Sequence, residues 1–147
     1  MLNSTLPEIY LITPPITDLE KFLHKLQKVI EKNKISCVRL RLSSTKDTEI
    51  INTTLLVKKL LDRWNIPLLI ENHYKIVTQL GLHGVHLTNG GQSISKVRQD
   101  LGANYIIGAF CGNSKHKALI AAENGADYVS ILSLIHISEP TRRTPIS

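Results

Sequence analysis

Apolar positions along this chain follow two periods that take turns. Residues 8–13 (EIYLIT) form a short apolar run ended by Pro14-Pro15, which predicts a buried strand and then a loop. Leu19, Phe22, Leu23, Leu26, Val29 and Ile30 then recur at helical spacing as one apolar face. Thr17, followed by Glu20, is expected to cap that helix as a capping box, and Lys32 and Lys34 suit its C-terminal dipole. The period returns to two over residues 35–42 (ISCVRLRL). Val38, Leu40 and Leu42 share one face there, and Cys37, Arg39 and Arg41 share the other. A second long helix carries Ile50, Ile51, Leu55, Leu60 and Leu61 and stops near Trp64-Asn65, before Pro67. Strands over 68–71, 85–87, 105–110 and 128–131 then alternate with helices over 74–80, 93–101 and 114–124, with Ser93 as an N-cap.

That alternation predicts an α/β fold with a parallel sheet. Three helices end in Gly81, Gly102 and Gly125, each soon followed by a strand and spaced by about twenty residues. Each glycine is expected to be the left-handed residue that stops its helix. Units of such regular length suit a closed (β/α)8 TIM barrel better than an open doubly wound sheet. The pattern contains six strands, so the expectation is an incomplete barrel of about six βα units over residues 1–131. Residues 132–147 (LSLIHISEPTRRTPIS) break the pattern, with no helical period and two prolines. The run LSLIHISEPTR also matches what a common sequencing adapter encodes, so this tail is expected to be non-native read-through.

Composition narrows the classes. The 147 residues suffice for one domain, and no apolar run approaches the ~20 residues that span a bilayer. The N-terminus lacks the basic and apolar regions of a secretory signal. Cys37 and Cys111 have no motif spacing, which fits a reducing cytoplasm. The net charge is +6, but Lys21, Lys25, Lys28, Lys32 and Lys34 are dispersed and aromatics are only 5%. A nucleic-acid partner is therefore the remote reading, and an anionic small molecule suits the charge better.

Arg39 and Arg41 are the strongest chemical signal. Two guanidinium groups on one face of a covered parallel strand are costly unless paired. Aimed inward near the strand's C-terminal end, they make a fork for phosphate or carboxylate. The competing reading is an internal salt bridge to Glu71 or another carboxylate on a neighbouring strand. His83 and His86 fall on opposite strand faces and so are no metal pair, and His86 reads first as a hydrogen-bonded structural residue. Cys111 shows no adjacent base, Gly90-Gly91 reads equally as an anion loop or a flexible turn, and His116 reads as a surface residue.

YLITPP, VRLRL, IPLLIENH, GLHGVHLTNGG, LGANYIIGAFC and NGADYVS occur here in an order and spacing that resembles the thiamine phosphate synthase and thiazole tautomerase superfamily. The resemblance covers residues 9–131 and implies the compact (β/α)8 barrel of that superfamily. It also implies a transferase that joins hydroxymethylpyrimidine diphosphate to thiazole phosphate, using positive charge and Mg²⁺ on the departing pyrophosphate. Carried over residue by residue, the family's strand-2 arginine is Arg41, the expected catalytic group. Its neighbouring glutamine is Arg39 and its lysine is Ser43. The strand-3 Asn-Asp pair falls on Glu71-Asn72, or on Asn72-His73 with a one-residue slip, the second metal-binding aspartate on Gly91, and a serine or threonine after strand 5 on Phe110. The tautomerase histidine falls on Gly112. Both metal carboxylates are thus missing, so no metal ligand is assigned, and Arg39 is the candidate to supply the missing charge. Whether the chain is an enzyme stays open. A thiamine-pathway transferase with a divergent diphosphate site competes with a non-catalytic or regulatory paralogue that binds thiazole phosphate or thiamine phosphate.

Overall fold

Strand and helix alternate throughout residues 8–88 and 93–132, the part described by the structure, a computed structural model. The chain divides into two units, Met1–His86 and Leu87–Ser147. The first contains β1 (Ile9–Ile12), α1 (Leu19–Lys32), β2 (Ile35–Leu40), α2 (Asp47–Asp62), β3 (Leu68–Glu71), α3 (Lys75–Leu80) and most of β4 (Gly84–Leu87). Its strands pair in parallel in the order of the sequence, with Arg39 beside both Ile12 and Leu69, and Glu71 beside His86. Leu68, Leu69 and Ile70 are all buried, as expected of a parallel strand covered on both faces. Val38, Leu40 and Val85 join them, and Leu26, Ile30, Ile50, Val57, Leu60, Leu61 and Val77 supply the helical side of the core.

Three expectations need correction in this unit. Asp18, not Thr17, caps α1: its carboxylate accepts from the Lys21 amide at 3.2 Å. The helix begins one residue later than expected, so Glu20 sits too early to close a capping box. A carboxylate at that point also gains from the helix dipole. β1 is not a buried strand, since Ile9, Tyr10 and Ile12 are exposed. Among the described residues β1 pairs only with β2, which leaves one edge uncovered. β2 ends at Leu40, so Arg41 and Leu42 belong to the loop that follows.

The second unit contains α4 (Ile94–Leu101), β5 (Ile106–Phe110), α5 (Lys115–Glu123) and β6 (Tyr128–Ser130), with β5 and β6 parallel. Ser93 and Ser114 cap its helices, accepting from the Lys96 and Lys117 amides at 3.2 and 3.1 Å. Ala109, Cys111, Ala118 and Ala121 form its core, with Ile94, Ala126 and Val129 packed on them. A side chain at Gly108 would run into the Tyr128 ring, which would have to move aside for any larger residue there. Of the three helix-ending glycines, Gly81 is left-handed as expected, with φ 73° and ψ 33°. Gly102 and Gly125 also have positive φ, 92° and 111°, but Gly102 pairs its φ with an extended ψ of −177° in place of the left-handed helical one. Gly90, Gly91 and the tail from 133 onward lie outside the described residues.

Candidate anion-binding site

The C-terminal ends of β2, β3 and β4 bring four side chains of the first unit together. Glu71, the last residue of β3, is 14% exposed and faces two guanidinium groups at once. Its Oε2 lies 2.8 Å from Arg39 Nε and its Oε1 lies 3.4 Å from Arg41 Nε. The first contact is an ion pair without the alignment of a hydrogen bond. Arg39 is as buried as its carboxylate, whereas the Arg41 side chain is 47% exposed. The salt-bridged arrangement weighed from the sequence is therefore present, but two cations share one anion, which leaves the cluster positive.

His86 fixes the inner arginine. It is 1% exposed, and its Nε2 is 3.0 Å from Arg39 Nη1. A guanidinium can only donate, so His86 is neutral and accepts at Nε2. Burial, reinforced by the Arg39 charge, pushes the His86 pKa down to about 4. The Arg39 guanidinium also sits 5.9 Å from the centre of the Tyr10 ring, within cation–π range. The backbone of the outer arginine is held instead. Thr13 is buried, its amide donates to the Arg39 carbonyl at 3.0 Å, and its Oγ1 accepts from the Arg41 amide at 3.0 Å. Thr13 thus ties β1 to the point where β2 ends.

Asn72 follows Glu71 with φ 69°, a left-handed conformation that asparagine tolerates better than most side chains. Its amide donates to the His86 carbonyl at 3.0 Å and closes the β3 end onto β4. Asn72 also borders a cavity of about 550 Å³ with Asp47, His73, Tyr74 and Lys75. Ser43 is exposed and borders a separate cavity of about 280 Å³ with Thr17, Ser44 and Glu49. Arg39, Arg41 and Glu71 are therefore assembled, with Asn72 adjoining in sequence, while Ser43 lines a different cavity. Gly91 lies outside the described residues.

Phe110 belongs to the second unit. It ends β5, is 36% exposed, and lines a cavity of about 290 Å³ with Leu87, Ile94, Cys111, Lys117 and Ile120. Burial raises the pKa of Cys111, only partly opposed by Lys117, and burial pushes that of Cys37 up to about 11. Neither thiol is activated as a nucleophile. His86, Thr13 and Tyr10 are the members of the arginine cluster not assigned to it from sequence. Only the strand register, which sets His86 beside Glu71, links them to it.

Residues 9–136 match the protein family described as thiamine monophosphate synthase. Curated relatives include the thiamine-phosphate synthases of Rhodospirillum centenum, 30% identical over 83% of this chain, and Hyphomonas neptunium, 33% identical over 83%. That of Clostridium botulinum strain 657 is 33% identical over 84%. The chain spans 59%, 58% and 60% of the lengths of these three proteins. Among solved structures, the thiamine phosphate pyrophosphorylase of Pyrococcus furiosus superposes with a TM-score of 0.69 at 21% identity. That match covers 84% of this chain and 59% of the other. It supports the expected fold, an incomplete (β/α)8-type barrel.

Proposed function

The chain belongs to the thiamine monophosphate synthase family, and from that premise we propose that its arginine cluster grips the phosphorylated substrate of a thiamine-phosphate synthase-type transferase. The substrates are a hydroxymethylpyrimidine diphosphate and a thiazole phosphate. Pyrophosphate departs and the thiazole nitrogen captures the pyrimidine cation. The observation that carries this reading is the convergence of Arg39 and Arg41 on the single carboxylate of Glu71, at the strand ends. Negative charge builds on the departing pyrophosphate, so fixed positive charge beside it lowers the barrier. Arg41, half exposed and anchored through its backbone, is the group that meets that charge. Arg39 raises the local potential from behind, held by Glu71 and His86.

Mg²⁺ is the cofactor implied by the family resemblance, and the donor set here does not fit it. Mg²⁺ takes carboxylate, phosphate and water oxygens in near-octahedral geometry. Both oxygens of Glu71 face guanidinium groups, and Asn72 offers only a neutral amide. Among the described residues no group of three or more His, Cys, Asp or Glu could hold a metal ion. The same observation favours a second reading, a non-catalytic paralogue that binds thiazole phosphate or thiamine phosphate. No helix among the described residues is long and apolar enough to cross a membrane. A cytoplasmic location belongs to this proposal and agrees with two free cysteines.

A turnover assay with both substrates, with and without Mg²⁺, tests the transferase reading. Formation of thiamine phosphate supports it. Saturable binding of thiamine phosphate with no turnover supports the paralogue instead, and neither binding nor turnover removes both.

A further inference from the structure

We propose that Glu71 is the resident counter-ion of Arg41, a built-in competitor that sets how tightly the site holds an incoming phosphate, and not a metal ligand. This rests on the anion-site reading above and adds a role for the one acidic residue at its centre.

The two halves of the shared ion pair are unequal. Glu71 lies 2.8 Å from Arg39, with both side chains 14% exposed. It lies 3.4 Å from Arg41, whose side chain is 47% exposed. The inner contact is short and shielded from water. The outer contact is long and screened, the kind of pair that contributes little. Arg39 has a second hold, His86 at 3.0 Å, and a ring beneath it, so it stays in place when Glu71 is disturbed. Among the described residues no partner is recorded for the terminal nitrogens of Arg41. Those nitrogens present the edge that takes two phosphate oxygens in parallel.

An incoming phosphate therefore exchanges with Glu71 at Arg41 and leaves Glu71 on Arg39. The exchange breaks the weaker ion pair and forms a bidentate one. The carboxylate remains nearby and repels the bound phosphate. Its removal should tighten binding, whereas loss of a metal ligand would weaken it.

The test is calorimetric titration of the full chain with inorganic pyrophosphate in EDTA. Wild type should bind saturably without added metal. Glu71→Gln should bind about three- to fivefold more tightly, the factor expected when a screened pair is removed. That variant leaves Arg39 without its carboxylate and can fail to fold. The double variant Arg39→Gln/Glu71→Gln removes the buried pair together, keeps the net charge of the cluster, and should still bind about twofold more tightly than wild type. Equal or weaker binding by a folded variant overturns the inference, as does wild-type binding that appears only with Mg²⁺. In those cases the anion site itself stands. Absence of binding with and without Mg²⁺, in wild type and variants alike, overturns the anion-site reading together with the inference.

Discussion

The arginines of the two units meet carboxylates in opposite ways. Arg98 of α4 is saturated. Its nitrogens donate to the carbonyls of Gly102 at 2.9 Å, Tyr105 at 2.7 Å and Gly125 at 2.7 and 3.1 Å, and to Asp127 Oδ2 at 2.6 Å. Asp127 Oδ2 also accepts from the Ile107 amide at 2.8 Å. That guanidinium is a clamp joining the end of α4, the start of β5 and the turn into β6. Its donors are used by backbone carbonyls at half-buried positions. Arg39 and Arg41 instead divide one carboxylate and a neutral histidine between two positive charges. An arginine whose donors are filled by carbonyls serves the fold. Two arginines sharing one counter-ion leave charge for a ligand.

The sharpest way to separate the two roles is to remove the clamp. Arg98→Ala leaves three part-buried carbonyls without their guanidinium donor and should cost about 3 kcal/mol in urea unfolding. Pyrophosphate affinity of the folded fraction should not change. A loss of affinity without a loss of stability would put Arg98 in the wrong class.

The next effect belongs to His86 and is read by pH. In the native chain it resists protonation down to about pH 4, against 6.5 as the ordinary value. Its neighbours across the strand ends are the Arg39 guanidinium, which opposes a proton, and the Glu71 carboxylate. Between those two pH values the unfolded chain takes up a proton that the native chain does not. This contribution to stability is therefore whole above about pH 6.5 and is lost as pH falls towards 4, by about 3 kcal/mol in all. His86→Gln keeps an acceptor for Arg39 and should flatten that slope. An unchanged slope would mean that His86 does not titrate as its burial requires.

A smaller effect is expected at Asp127. Asp127→Asn retains one oxygen acceptor, and the carbonyls still hold Arg98, so the loss should be about 1 kcal/mol by urea unfolding. A loss as large as that of Arg98→Ala would mean that charge, not the carbonyl cage, holds the clamp.

The sequence exposed the alternation because the apolar period changes at each element, and the helix starts expected at 93 and 114 fall within a residue of those observed. It misplaced the start of α1 because Thr17 and Asp18 are both good caps, and only the geometry chooses between them. It did not reveal the Arg98 clamp. Carbonyls accept without leaving a side-chain signature, and Asp127 lies twenty-nine positions away. Arg39, Arg41 and Glu71 were legible because charged side chains in apolar strands stand out. The division of labour between the two arginines was not. It depends on β2 ending at Leu40, which leaves Arg41 in a loop and half exposed while Arg39 stays inside.

The most direct test of the account is Arg41→Gln, titrated with inorganic pyrophosphate in EDTA beside the wild-type chain. The expected result is saturable binding by wild type and about a tenfold loss of affinity in the variant, the scale of one charge-assisted contact. Urea unfolding should shift by no more than about 0.5 kcal/mol, because the Arg41 contact is exposed and long. Equal affinities for wild type and variant would contradict the account.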